Sequence, residues 1–356
     1  MDICIIAPPW LPVPAPAYGG TEAVLDRLAT GLAAAGHRVV LVAHPDSTCP
    51  VERHSVVPAC DAEPMGRGVI ELEHVLGAYE IARDADVVHD HTMAGPLHAA
   101  RFPHLPVITT NHGPFDRTMS ALYRAMVPRV DLVAISHHQA STTDLPLAGV
   151  VHHGVAIDEF PAGTGAGGYA AFLGRMAPEK GAHRAIAAAR AAGLPIYLAA
   201  KMREPAELAY FEAEVRPLLG PDVVYLGELG PVDKLALLAD AVALVNPIRW
   251  PEPFGMVMLE ALACGTPVVG HPFGAAPEIV EHGVSGYLVQ GQDDLARALA
   301  DATSLRREAC RGRARTFSVE RMVDAYVAIF ERRLDRPVRT LRPTPIDRPV
   351  LVAVRR

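Results

Sequence analysis

The chain lacks the features that would place it in several common classes. Its five cysteines, Cys4, Cys49, Cys60, Cys264 and Cys310, are scattered and odd in number, with no C-x-x-C spacing. That argues against a disulfide framework or a cysteine-based zinc or redox pair, and points to reduced thiols in the cytoplasm. Basic excess is missing too. With 33 Lys+Arg against 40 Asp+Glu and a formal net charge of -7, bulk electrostatics offers no general attraction to nucleic acid or anionic lipid. The opening residues "MDICIIAPPW" hold no basic leader, and their apolar run stops at proline well short of the roughly 18 residues a membrane span needs. They read as a first buried strand. No G-x-G-x-x-G follows that strand, which argues against a nicotinamide dehydrogenase.

What is present is an alternation. A chain of 356 residues, 50% apolar and 21% charged, is globular and long enough for about two domains. Short branched runs ("ICIIAP", "RVVLVAH", "DVVHDHT", "PVITTNH", "VDLVAISHH", "GVVHHG") alternate with helical stretches such as "TEAVLDRLATGLAAAGH". Uniformly apolar runs between helices mark a parallel sheet covered on both faces. After a Gly/Pro-rich stretch the grammar restarts with "YAAFLGR", "PIYLAA", "VVYLGEL", "AVALVNPI", "TPVVGHPF" and "SGYLV". The expected organisation is a Rossmann-like domain over 1–160, a linker over 161–168 and a second Rossmann-like domain over 169–317. A capped helix over 318–335, with Met322, Val323, Tyr326, Ile329 and Phe330 as one stripe, can cross back to the first domain. The remainder, 336–356, is rich in proline and arginine and reads as a loosely packed or disordered extension.

In open parallel sheets, ligands bind outside the carboxyl ends of the strands. At the first of these ends, Gly19 and Gly20 open a helix after a proline-bearing loop, where backbone N–H groups can approach an anion. Turns need glycine anyway, so this pair alone is weak evidence. Other strands of this half end at His91 (with His89 two residues earlier), His112, His137–His138 and His152–His153. A single histidine is more often a hydrogen-bonded structural residue, but shared placement at strand ends makes His91, His112 and His153 candidates for the cleft. Zinc at "HDHT" lacks an evident third ligand.

In the second half "FLGRMAPEKG" sets Arg175 and Lys180 five residues apart, with Gly174 before them and Gly181 at a helix start. Two cations beside a helix N-terminus make a diphosphate clamp. Further on, "RWPEPFGMVMLEALACG" places Glu252 in a strand-end loop and Glu260 about two turns into an apolar helix. The amides of Phe254, Gly255, Met256 and Val257 stand at its start. Carboxylates would repel phosphate; their natural partners are the hydroxyls of a ribose or a sugar. Glu260 sits on an apolar face and needs a partner.

These residues resemble a known family. "EPFGMVMLEALACGTPVV" looks like the E-x7-E signature of retaining family-four glycosyltransferases of GT-B architecture, and "GRMAPEKG" like their basic diphosphate motif. "YGGTE" resembles the glycine-rich first loop and "VVHHGVAIDEF" the strand closing the first domain, although this chain has His153-Gly154-Val155-Ala156 where the family often has Asn-Gly-Val-Asp. The resemblance extends in order to about Leu334. It implies two Rossmann-like α/β domains facing a cleft, and a retaining, hexosyltransferase-type enzyme with no cofactor and no metal.

The co-substrate it implies is a UDP-, GDP- or ADP-linked sugar. Arg175 and Lys180 would stabilise the leaving diphosphate, Glu260 would accept from the ribose and Glu252 from the transferred sugar. The 254–257 amides would contact the sugar or phosphate, Gly20 would let the first domain close on the diphosphate, and His112 matches the family's histidine near sugar and acceptor. Small-molecule and lipid-linked acceptors, the latter with peripheral membrane contact, both stay open, as does a homodimer; nucleic acid is not expected. An epimerase-like enzyme and a non-catalytic sugar-nucleotide binder on the same fold are the competing readings.

Overall fold

The computed structural model describes residues 1–59, 68–127 and 129–335. Cys60 and the expected extension over 336–356 lie outside the described residues. The first half forms β1 (Asp2–Ile6), β2 (Arg38–Val42), β3 (Glu52–His54), β4 (Val87–Asp90), β5 (Val107–Thr110), β6 (Asp131–Ala134) and β7 (Leu147–Val150). These make one parallel sheet in the order β3-β2-β1-β4-β5-β6-β7. The second half forms β8 (Ala170–Arg175), β9 (Ile196–Lys201), β10 (Val223–Tyr225), β11 (Ala243–Asn246), β12 (Val268–Gly270) and β13 (Gly286–Leu288). Their order is β10-β9-β8-β11-β12-β13, again all parallel.

The first sheet is accompanied by helices α1 (Gly20–Ala34), α2 (Gly68–Ile81), α3 (Gly95–His98), α4 (Arg117–Met126) and α5 (His137–Ser141). The second is accompanied by α6 (Ala182–Ala191), α7 (Pro205–Tyr210), α8 (Pro231–Asp240), α9 (Met256–Ala263), α10 (Ala276–Ile279), α11 (Gln292–Ala302) and α12 (Arg307–Arg315). The closing helix is α13 (Val319–Leu334). Among the described residues, no helix is long and apolar enough to cross a membrane.

Two strands depart from the sequence reading. β3 is Glu-Arg-His, exposed throughout, and carries no apolar pattern to announce it. β7 ends at Val150, so "HHG" follows the strand and is free to face the cleft and the interdomain seam.

Apart from the edge strands β3 and β7, the first sheet is buried on both faces, and the second sheet is likewise packed on both. On one side of the first sheet, Ile3, Ile5, Leu25, Leu28 and Leu41 pack in a cluster that also takes in Met322, Val323, Tyr326, Ile329 and Phe330 of α13. The last helix therefore completes the core of the first domain, with burial of Tyr326 and Phe330 worth roughly 1.5–3 kcal/mol each. Its start is set by Ser318, whose hydroxyl accepts from the Arg321 N–H at 3.3 Å. The segment 161–168 is fastened to the second domain: Gly163, Gly165 and Gly167 donate their amides to the carbonyls of Cys264, Ala239 and Asp240. The interdomain crossing falls instead near Val155, whose N–H bonds the Phe317 carbonyl at 2.9 Å.

Strand order reverses direction between β1 and β4 in one sheet and between β8 and β11 in the other. At such switch points the connections leave on opposite faces and open a crevice at the carboxyl ends. The loops after β1, β8 and β11 border a single cavity of about 680 Å³ between the two domains.

Candidate active site

The second-domain wall of this cleft is built from two strand ends. β8 delivers Gly174 and Arg175, and the turn after it carries Lys180 to the start of α6. β11 delivers Asn246, and the loop beyond it carries Glu252. Gly255 caps α9 at φ +98°, in the left-handed region that favours glycine. Gly274 sits at φ +62°, so close to Glu252 that a Cβ there would lie 2.3 Å from its backbone N and O. Glycine is thus what allows the Glu252 loop to lie down on its neighbour. The helix begins at Met256, one residue after Gly255. Glu260 consequently stands one turn into it rather than two, and the amides of Gly255, Met256 and Val257 open onto the cleft.

Each charge on this wall has a counter-charge. Lys180 contacts the Glu252 carboxylate and lies 5.4 Å from the Trp250 ring centre, while the Trp250 indole N–H donates to Glu252 at 2.6 Å. Arg175 meets Glu179 at 3.0 Å and buried Glu207 at 3.9 Å. Glu207 also holds Lys201 at 3.2 Å. Glu260, 5% exposed, finds its partner in Lys234 of α8 at 2.7 Å. Lys234 was missed by the sequence reading. The signal available was a lone cation in the otherwise apolar "KLALLA", but the pairing across 26 positions is a tertiary fact.

The first-domain wall comes from the proline-bearing loop, α1 and the ends of β5 and β7. The loop is pinned by Val13, whose carbonyl accepts the Thr48 and Cys49 amides at 2.9 Å each. It crosses to the other domain through the Tyr18 N–H, which donates to Glu228 at 3.1 Å. Gly19 and Gly20 follow on the cleft wall, and a Cβ at Gly20 would lie 4.0 Å from Met256 of the opposite domain. Past them, Glu22, Asp26 and Arg27 of α1 line the cavity. None of these three was singled out from sequence.

The strand-end histidines separate into two groups. His89, His91, His112 and His153 form a buried chain: the rings of His89 and His91 are 4.0 Å apart, His91 Nδ1 lies 2.8 Å from His112 Nε2, and His112 stacks on His153 at 5.2 Å. Burial pushes His89 down to about 3 and His112 to about 4, and holds His91 and His153 well below the ordinary value. All four are therefore neutral at neutral pH. His112 and His153 line the cavity; His91 does not. Its N–H continues the β4 ladder by bonding the Ile6 carbonyl at 2.9 Å, so its side chain stays on the His89 face of the sheet. There it sits behind His112, a correction to its expected place on the wall.

His137 and His152 turn the other way, to the seam between the domains. The Glu278 carboxylate of α10 accepts from the His137 and His138 amides at 2.9 and 2.7 Å and lies 2.8 Å from His152 Nε2. Burial would raise this carboxyl, but those hydrogen bonds hold it below the ordinary glutamate value. His137, His152 and Glu278 bring ligand-capable atoms within 4.8 Å of one another, away from the cleft wall itself.

Two doubly wound parallel-sheet domains that face a cleft, joined by a helix returning to the first, make the GT-B architecture. Residues 18–158 match the family described as Glycosyltransferase Family 4, and residues 165–317 match Glycosyl transferases group 1. Together these matches take in more than half of the chain, which belongs to the family-4 GT-B glycosyltransferases.

Among relatives, the D-inositol 3-phosphate glycosyltransferase of Mycobacterium avium (strain 104) is 33% identical over 227 residues, 56% of this chain and 52% of that protein. The protein of the same name from Mycobacterium bovis (strain BCG / Pasteur 1173P2) is 30% identical over 291 residues, 71% of this chain and 58% of its own length. The chain spans about half the length of the curated relatives it matches. AviGT4, a glycosyltransferase involved in avilamycin A biosynthesis, superimposes with a TM-score of 0.71 at 27% identity, covering 93% of this chain and 97% of its own. HepE of Anabaena, solved with UDP and glucose, shares the fold with a TM-score of 0.73 at 20% identity, covering 93% and 99%.

Proposed function

We propose that the chain is a retaining glycosyltransferase that moves a sugar from a nucleotide-diphosphate donor to an acceptor hydroxyl. The observation that carries this reading is the second-domain wall, where Arg175 and Lys180 stand with the open amides of α9 around one cleft. Breaking the bond between the anomeric carbon and phosphate oxygen sends an electron pair to the diphosphate. Preorganised cations aimed at that developing charge are the largest single aid a protein can give. The acceptor oxygen bonds to the anomeric carbon, and its proton leaves with the diphosphate or to solvent. With this charge stabilisation supplied by side chains and helix amides, the proposed transfer is metal-independent.

The ion pairs on this wall have a role in the proposal. An arriving diphosphate offers Lys180 a stronger partner than Glu252, and Glu252, released, accepts from the sugar hydroxyls. Glu260, held by Lys234, accepts from the ribose with its remaining lone pairs. The relatives' names, which specify transfer to D-inositol 3-phosphate, and the UDP bound by HepE support a nucleotide-sugar donor and a polyol acceptor.

The test is stabilisation by nucleotide followed by transfer. A nucleotide at a hundred times its dissociation constant adds about 2.7 kcal/mol, so at least one of UDP, GDP, ADP and dTDP raises the thermal midpoint clearly. Free nucleotide then appears in step with glycosylated acceptor. If none of the four shifts the midpoint, the reading fails.

A further inference from the structure

Within the transferase reading, on which this inference rests, the two walls of the cleft carry opposite electrostatic problems. The donor wall has its cations and carboxylates paired. On the acceptor wall, Glu22 and Asp26 sit one turn apart on α1 and both line the cavity, and neither has an ion-pair partner among the described residues. The nearby cation, Arg27, lies 3.8 Å from Glu159 and 5.5 Å from the Phe160 ring centre. Glu159 thus answers its charge.

Polar atoms on this wall are also left without partners. Asp26 Oδ1, Arg27 Nη1, His112 Nδ1 and His153 Nδ1 are buried and make no hydrogen bond, and all four residues line the cavity. His153 is only 4% exposed. Buried polar atoms are nearly always satisfied, so four orphans on one wall mark where a polar ligand completes the set. Asp26 Oδ1 is an acceptor that needs a donor, and Arg27 Nη1 is a donor that needs an oxygen. A polyhydroxylated molecule supplies both. A phosphorylated one would set its anion against Glu22 and Asp26, beside an Arg27 whose net charge Glu159 already offsets.

We infer that the acceptor is an amine-bearing polyol, of the amino sugar or aminocyclitol class, and that Glu22 and Asp26 receive its ammonium group. The cleft then sorts its substrates by charge: the anionic donor goes to the second domain and the cationic acceptor to the first.

The experiment compares an inosamine, myo-inositol and D-inositol 3-phosphate, first by calorimetric binding to the nucleotide-loaded protein and then as acceptors. The inosamine binds roughly tenfold or more tightly than myo-inositol, the increment of one charge-assisted contact, and the phosphate binds worst. Asp26→Asn, which preserves shape, brings the inosamine down to the myo-inositol level and leaves nucleotide affinity unchanged. Glu22→Gln acts in the same direction. Equal binding of amine and parent, tighter binding of the phosphate, or no polyol binding by a protein that does bind nucleotide would each overturn the inference. Failure of nucleotide binding would instead remove the transferase reading beneath it.

Discussion

The two walls of one cleft are built on different plans. On the second-domain wall, Lys180, Lys234, Lys201 and Arg175 each have a carboxylate within ion-pair distance, and that wall is organised before any ligand arrives. On the first-domain wall, Asp26 Oδ1, Arg27 Nη1 and the His112 and His153 Nδ1 atoms are buried without partners, on residues that line the cavity. Paired charges stabilise the fold and must be parted to bind; orphaned groups weaken the fold and are repaired by binding. Substitutions on the two walls should therefore fail in different ways.

The largest effect is expected at the cations. Lys180→Met or Arg175→Ala should lower kcat at saturating donor by about 10²–10³, the usual cost of losing one preorganised contact to a developing anion. A loss below about tenfold in both variants would reduce this wall to scaffold. Next comes Lys234→Met, which strands the buried Glu260 carboxylate. Urea denaturation should show a loss of about 3 kcal/mol, largely recovered in the Lys234→Met, Glu260→Met double variant, since breaking a buried pair costs more than replacing it. Asp26→Asn on the other wall should change stability by about 1 kcal/mol or less. Equal losses at Lys234 and Asp26 would erase the distinction between the walls.

A further effect depends on pH. Burial raises the Glu22 carboxyl from 4.5 to about 7. Because the folded value lies above the unfolded one, the stabilisation associated with the protonated group is complete below 4.5 and is lost as pH rises through about 7. Glu22→Gln, which imitates the protonated form, should match the parent near pH 4.5 and exceed it by on the order of 3 kcal/mol at pH 8. Thermal midpoints at the two values check this, and a uniform gain at both would point to packing instead.

Much of the architecture could be read directly from the chain. All six strands of the second sheet coincide with branched apolar runs, because a strand covered on both faces has no polar positions to blur it. The α13 stripe was equally plain, since Met322 to Phe330 follow the helical period. β3 escaped notice because Glu52–His54 buries no apolar side chain and is held by backbone pairing to β2 and by polar contacts such as Arg38 with Glu52. At the site, Arg175, Lys180 and Glu252 were found through glycine-flanked strand ends, a local signal. Lys234 was not, because its reason for being there is Glu260, on another helix. The histidines show the same limit: residue parity separates His152 from His153, but only the assembled domains reveal that one faces Glu278 and the other faces the cleft.

The return of α13 to the first sheet has a consequence for the order of events at the ribosome. When β7 emerges, every strand of the first domain has been made, yet the face over Ile3, Leu25 and Leu41 has no Tyr326 or Phe330 to cover it. Nascent chains of this size fold domain by domain as they appear. Here the earlier domain must wait, with an apolar face uncovered, until the later one has been synthesised and the chain has come back. A nascent chain stopped before Val319 would be a natural client for a chaperone, whereas one that has released Leu334 can close both halves at once.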